Sequence, residues 1–486
     1  MPTKRRQNTP GKNPHPSRNV HSRRARSGAP RGFSTSAPTS GISPRPRASK
    51  ANGFPSNPLN AANQPKKGGP EVLLTRRNLL IGAAAVGGIA AIGGGISLAS
   101  NALNADSDTS VSYISVPEDA VQSQSDYTLV SYSDHVQTSA TFSLPYGTLV
   151  WADNDTVAAC LTPTNTASPL CTVSLLYLSS GNNPTVLDAA QGASEGYEII
   201  DVRCSDQGIV WTESNTYQSS WRVYTASIAN GSASAIQQVD EGDANWLMPS
   251  LAAVGQNAFW QVCPNTTGNA ANERAKLKAA SFGQSEAREV YSSKRAFATR
   301  VSAATDGVVI TPRAESTGVY YQLTKIDAQS CETVDQMTLP ASMTPDVVGY
   351  GASGFSFGFA SIYSYGGGIA NLGTYTPRAA VQANNYNGLS WFRFSRTPIT
   401  APCWCGDWFV VKSTTALTGI HFSSKSYFAI DVASGADTFG EQLVSSGSCS
   451  SFVGLSQITD DTNAENDRAL VRVFTPIEGS VGGAFA

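Results

Sequence analysis

Ser205-Asp206-Gln207-Gly208-Ile209-Val210-Trp211-Thr212-Glu213 is the stretch that decides the fold. A polar turn bearing Asp and Gly opens directly onto an apolar run of β-branched and aromatic residues, which reads as a turn feeding a buried strand. Trp221-Arg222-Val223-Tyr224-Thr225-Ala226-Ser227-Ile228 continues as a second strand, and Ile236-Gln237-Gln238-Val239 as a third. Helical periodicity is scarce from about residue 110 onward, so the region 110–486 reads as all-β.

The same apolar triplet after a polar turn recurs along the chain. It is found at Leu149-Val150-Trp151, Ile209-Val210-Trp211, Ala258-Phe259-Trp260, Val308-Val309-Ile310, Phe355-Ser356-Phe357 and Phe409-Val410-Val411. The starts are spaced by 60, 49, 50, 47 and 54 residues, and a poorer seventh copy begins at Ser451-Phe452-Val453. About fifty residues holding four short strands is the size of one propeller blade. The Ser205–Glu213 stretch resembles the S-P-D-G-x-x-I-A-F turn of TolB-type propellers, with Gln207 inserted and no proline. Thr305-Asp306-Gly307-Val308-Val309 is a plainer copy. The resemblance implies a seven-bladed β-propeller, with six or eight the adjacent counts. Ring closure is expected from Tyr127-Thr128-Leu129-Val130-Ser131-Tyr132 pairing with Ala469-Leu470-Val471-Arg472-Val473-Phe474, which would remove exposed strand edges.

Charge is unevenly spread. Residues 1–78 carry 16 of the 34 basic residues but one of the 36 acidic ones, so +15 precedes an apolar run and −17 follows it. Residues 1–75 are rich in Pro, Ser, Asn, Gly and Arg, a composition expected to form a disordered basic cytoplasmic tail. The run Leu79–Leu98 has no charge and is long enough to span about 30 Å of hydrocarbon. Basic flanks stay inside, so a single-pass topology with an extracytoplasmic C-terminal domain is expected.

Thr75-Arg76-Arg77-Asn78-Leu79-Leu80 resembles the twin-arginine export signal of bacteria, within a signal or transmembrane helix over 76–100. Arg76, Arg77, Leu79 and Leu80 are the targeting residues. The resemblance implies transient engagement of the twin-arginine (Tat) translocase at the cytoplasmic membrane. The long tail favours a retained anchor, and cleavage would release the domain as an exported protein.

All eight cysteines follow the apolar run, and an even number beyond a membrane segment suggests disulfides. Cys160 and Cys171 stand at the two ends of a Thr/Pro/Asn loop and are expected to bridge across a hairpin. Cys403 and Cys405 lie on one face of a strand, which is poor geometry for bonding each other. The domain offers only His135 and His421, so no metal or other cofactor is expected.

No Walker loop or H-E-x-x-H motif is present, and Gly351-Ala352-Ser353-Gly354-Phe355 departs from the G-x-S-x-G elbow at its last position. Carboxylates beside aromatic residues remain: Asp153 and Asp155 after Trp151, Glu213 after Trp211, and Asp407 before Trp408. Cys204-Ser205-Asp206-Gln207-Gly208-Ile209-Val210-Trp211 also resembles a sialidase Asp-box, which is a structural turn.

The reading that follows is a non-catalytic binding or scaffolding module at the cell envelope, docking an envelope protein or a glycan on one ring face. Nucleic acid is not expected as a partner. The alternative is a glycan-active hydrolase using carboxylates such as Asp153 and Glu213. Tyr365, Tyr386 and Trp391, in an aromatic-rich insertion with Gly366-Gly367-Gly368, form a candidate ligand surface.

Overall fold

A computed structural model describes residue 111 and residues 121–339, 341, 343–351, 354–359, 369–371, 391–393, 400–460 and 462–477. The described residues are almost entirely strands and turns, and the architecture is a β-propeller. No helix among them is long and apolar enough to cross a membrane. The expected tail, the helix over 76–100 and the twin-arginine residues lie outside them.

Four consecutive segments form plain antiparallel meanders whose spatial order is their sequence order. The first sheet is Leu149–Trp151, Val157–Pro163, Cys171–Tyr177 and Thr185–Leu187; the second is Glu198–Cys204, Gly208–Asn215, Ser220–Ala229 and Ser232–Gly242. The third is Ser250–Val254, Asn257–Val262, Ala275–Ser281 and Arg288–Ser293; the fourth is Ser302–Ala304, Gly307–Ile310, Gln322–Asp327 and Thr333–Thr338.

The fifth sheet runs from Pro345–Gly351 to Trp391–Arg393 and gains Val121–Ser123 as a parallel outer strand. Cys403–Cys405, Trp408–Lys412, Leu417–His421 and Ser426–Ala429 form the sixth, with Thr128–Leu129 added outside and Gly447–Cys449 inside. Ala436–Leu443, Phe452–Ile458 and Arg468–Pro476 make the seventh, completed by the N-terminal Val136–Pro145. Five sheets are therefore regular four-stranded blades, fewer than the seven expected, or the six or eight beside it; the fifth and sixth sheets carry extra strands.

The triplets that revealed the repeat are mostly the second strand of each sheet. Consecutive side chains there go to opposite faces, and both faces are covered. Ile209 and Trp211 pack with the first sheet, while Val210 packs with the third. Phe259 likewise joins the fourth-sheet side, while Ala258 and Trp260 face the second. A strand buried on both sides must be apolar at successive positions, which is why it is visible as a triplet. Leu149-Val150-Trp151 is the exception, being the innermost strand of its sheet. Its true counterpart is Val157-Ala158-Ala159, and measuring from Val157 shortens the first interval from 60 to 52 residues.

Buried clusters join first to second, second to third, third to fourth, fifth to sixth, sixth to seventh, and seventh back to first. Between fourth and fifth, Lys325 Nζ lies 4.3 Å from the Tyr350 ring centroid and the Tyr350 hydroxyl donates to Asp335 at 2.9 Å. The expected closing strand is corrected. Tyr127–Tyr132 does not pair with Ala469–Phe474; Val136–Pro145 does, from Val136 opposite Pro476 to Pro145 opposite Arg468. Thr128–Leu129 instead edges the sixth sheet. The residues from Val121 to Pro145 thus give three successive sheets their outermost strands. Such a belt covers backbone edges that would otherwise be free to pair with other chains.

Candidate functional site: the axis and ends of the ring

In a ring of sheets the innermost strands face a common axis, and here a segment of the chain itself crosses that axis. Leaving the inner strand Ala436–Leu443, residues 444–451 cross the interior before entering Phe452–Ile458. Ala152 N donates to Val444 O at 2.9 Å, and Ala152 forms a parallel bridge with Ser445. Ser446 Oγ donates to Asp153 Oδ1 at 2.7 Å, and Ser450 N reaches both Asp155 oxygens at 2.9 and 3.1 Å. Thr305 Oγ1 donates to Ser448 O at 3.0 Å and accepts from Ser448 N at 3.2 Å. Gly447–Cys449 pairs in parallel with Cys403–Cys405. One short segment therefore touches the first, fourth, sixth and seventh sheets. The first and fourth lie three sheets apart, so a segment joining them has to cross the centre.

Gly447 makes the crossing possible. Its φ is +66°, and a Cβ there would stand 3.0 Å from Ala304 Cα and Thr305 N. Both the conformation and the closeness of backbone to backbone require glycine.

Of the four carboxylates beside aromatic residues, Asp153, Asp155 and Glu213 are taken up by the axial segment or the core, whereas Asp407 stands exposed in its turn. Asp153 is largely buried, lies 3.8 Å from Arg203 Nε, and holds Ser446. Burial pushes its carboxyl up, and the Arg203 guanidinium opposes that shift. Arg203 is fixed in turn by Asp201 and lies 4.2 Å over the Trp151 ring. Asp155 caps the axial segment.

Glu213 has no exposed surface; it accepts from Gln191 N at 2.6 Å, Gly192 N at 2.9 Å and Trp211 Nε1 at 2.9 Å. Trp211 is itself fully buried, so its ring presents no face to a sugar. A carboxylate satisfied by three protein donors and closed to solvent binds the fold together.

The proposed Cys160–Cys171 bridge is not formed; all eight thiols are free. Cys160 stands opposite Ser174 and Cys171 opposite Pro163, an offset of three positions. An odd offset puts the side chains on opposite faces. Cys160 accordingly packs toward the seventh sheet and Cys171 toward the second. His135 and His421 flank the Trp408 ring at 5.1 and 5.3 Å between centroids. Among the described residues no group of three His, Cys, Asp or Glu could hold a metal ion. Tyr365 and Tyr386 lie outside the described residues, as does the side chain of Trp391.

The two ends of the ring differ in chemistry. Large exposed apolar side chains number eleven among the described residues, and eight of them share one end: Tyr146, Leu149, Leu170, Tyr217, Leu247, Met248, Val319 and Phe439. That end is formed by the connections entering each inner strand and those joining second to third strands. Tyr217 is 99% exposed. The opposite end holds the turns after the inner strands, where Asp155, Asp206, Asp306 and Asp407 are exposed. Sequence reasoning missed both the axial segment and this asymmetry. Val444-Ser445-Ser446-Gly447-Ser448-Cys449-Ser450-Ser451 reads as an ordinary serine-rich loop, and the apolar tips are scattered singly along the chain.

No protein-family model matches the chain, and no curated protein matches it. Among solved structures, a puromycin hydrolase is similar over 64% of this chain and 50% of its own, at 13% identity and a TM-score of 0.42. A puromycin-hydrolysing peptidase of Mycobacterium tuberculosis is 12% identical over 70% of this chain and 52% of its own, with a TM-score of 0.40. The β-propeller domain of the Trilobed protease from Pyrococcus furiosus is 10% identical over 68% of this chain and 96% of its own, with a TM-score of 0.39. The chain thus spans about half the length of the two hydrolases it resembles. Likenesses this faint carry no argument about ligand or chemistry.

Proposed function

We propose that this protein is a non-catalytic binding or scaffolding module, held outside a bacterial cytoplasmic membrane by the apolar run over 79–98. In this reading all seven sheets are blades of one TolB-like ring, and an envelope protein docks on its apolar-tipped end. The observation that carries it is the gathering on that end of eight of the eleven exposed large apolar side chains among the described residues. Tyr, Leu and Met at the tips of a rigid ring suit a protein partner better than a sugar, since interface cores favour aromatic residues and Met over charge. The axial segment supports the same choice, because it places chain where a ligand would otherwise enter the centre of the ring. The arginine pair and the charge step around it support the membrane address.

The test is site-specific photo-crosslinking in intact cells from position 217. A crosslink to an envelope protein is expected, and Leu247→Ser with Met248→Ser should abolish it without moving Tm. Retention of that crosslink by the double variant, or its loss in Asp206→Asn with Asp407→Asn, would overturn the assignment of this end.

A further inference from the structure

The axial segment docks on the sixth sheet through three cysteines. In the parallel pairing Cys403 is opposite Gly447, Trp404 opposite Ser448, and Cys405 opposite Cys449. Residues directly opposite in paired strands point to the same face, and Cys403, two positions along, shares it. The three side chains enter one cluster with Trp408 and Phe452. Cys403 and Cys405 have no exposed surface, whereas Cys449 is half-buried. The Cys449 thiol donates at 3.4 Å to the carbonyl of Trp404, the residue between Cys403 and Cys405. Among the described strand pairs, no other two cysteines oppose one another.

Paired strands run about 4.8 Å apart, inside the span of roughly 4.4–6.8 Å between the Cα atoms of a disulfide. We propose that Cys405 and Cys449 are a redox-modification site, closing to a disulfide that locks the axial segment to the sixth sheet. The inference is independent of the binding reading. It requires only a disulfide oxidant, such as the linear disulfide of a low-molecular-weight thiol.

The half-buried Cys449 loses its proton and attacks one sulfur of the oxidant, forming a mixed disulfide and releasing one thiolate, which takes up that proton. Cys405, directly opposite, then loses its proton and attacks the Cys449 sulfur. The second half of the oxidant leaves as a thiolate and is protonated in turn. Two protein thiols are oxidised and one disulfide is reduced to two thiols. The neighbouring thiols, and after them burial, hold Cys405 and Cys449 above the ordinary thiol range. Exchange is therefore slow near neutral pH and accelerates as pH rises. Cys403 faces Gly447, a diagonal step from Cys449, and remains a thiol. The bridge ties a strand of the axis to a strand 44 positions earlier.

The experiment treats the reduced full chain with oxidised glutathione at pH 8.5, alkylates the remaining thiols under denaturing conditions, and maps tryptic peptides. The expected product joins Cys449 to Cys405 within peptide 397–412, assigned by fragmentation, and dithiothreitol reverses it. Tm should rise by several degrees on oxidation. Cys403→Ala must retain the bridge, and Cys405→Ala must stop at glutathione on Cys449. The proposal is overturned if Cys405 and Cys449 are both alkylated after oxidation. It is equally overturned if wild type retains glutathione on Cys449, or if Cys449 is joined to Cys403. The wild-type and Cys403→Ala maps decide the matter even where Cys405→Ala does not fold.

Discussion

Glu213→Gln distinguishes a structural carboxylate from a catalytic one. Glu213 Oε1 accepts from Gln191 N and Trp211 Nε1, and Oε2 accepts from Gly192 N. A glutamine with its carbonyl at the Oε1 position keeps two of these bonds in neutral form. Its amide nitrogen then faces the Gly192 N–H, donor against donor, with no solvent to relieve either. One hydrogen bond to a charged acceptor is worth about 1.5–3 kcal/mol, and a buried unsatisfied donor costs about 1–3 kcal/mol. The variant should lose about 3 kcal/mol. At about 2 °C per kcal/mol for a domain of this size, Tm should fall by about 6 °C.

Thermal melts of wild type, Glu213→Gln and an exposed-turn control, Asp206→Asn, measure this directly. The control should change stability by less than about 0.5 kcal/mol. The same samples are assayed on aryl glycosides. A Glu213→Gln melt within a degree of wild type would refute the reasoning, as would a wild-type glycosidase activity that the variant loses.

Gly447→Ala combines a left-handed backbone with a Cβ pressed on Ala304 and Thr305, and should cost about 1–3 kcal/mol. Limited proteolysis should then cut within 444–451 faster; unchanged protection would count against the packed axis. Burial pushes the Cys160 thiol up to about 12 from 9.0. Because the unfolded thiol ionises first, stability from this group is complete below pH 9 and falls as pH rises toward 12. Melts under reducing conditions across that window should steepen downward, and Cys160→Ala should flatten the fall; equal slopes in the two proteins would reject this. A chain starting at residue 121 should melt like the full chain. One starting at residue 146 leaves the edge of Arg468–Pro476 unpaired and should aggregate on gel filtration; a monodisperse peak would contradict the belt.

Much of the architecture was legible because the second strand of each sheet is buried on both faces. Ile209, Val210 and Trp211 must each be apolar, and three such residues in a row after an Asp-Gly turn are a local signal. Closing strand Val136–Pro145 carries no such signal. It is the outermost strand, paired along one edge only, and Gln137, Thr138 and Ser139 are exposed on it. The expectation therefore settled on the more apolar Tyr127–Tyr132, which the structure places one sheet earlier.

The amino-acid sequence by itself determined an all-β repeat of about fifty residues and the charge step around an apolar run, since both rest on composition and short-range spacing. Only the tertiary structure decided what the carboxylates and cysteines do. An offset of three in register separates Cys160 from Cys171, while parallel pairing of segments 44 residues apart opposes Cys405 to Cys449. Asp153 and Asp155 serve the axis because residues 444–451, nearly three hundred positions later, return to meet them. Register and chain return are long-range facts, fixed by the burial of whole sheets against one another, and no local run of residues encodes them.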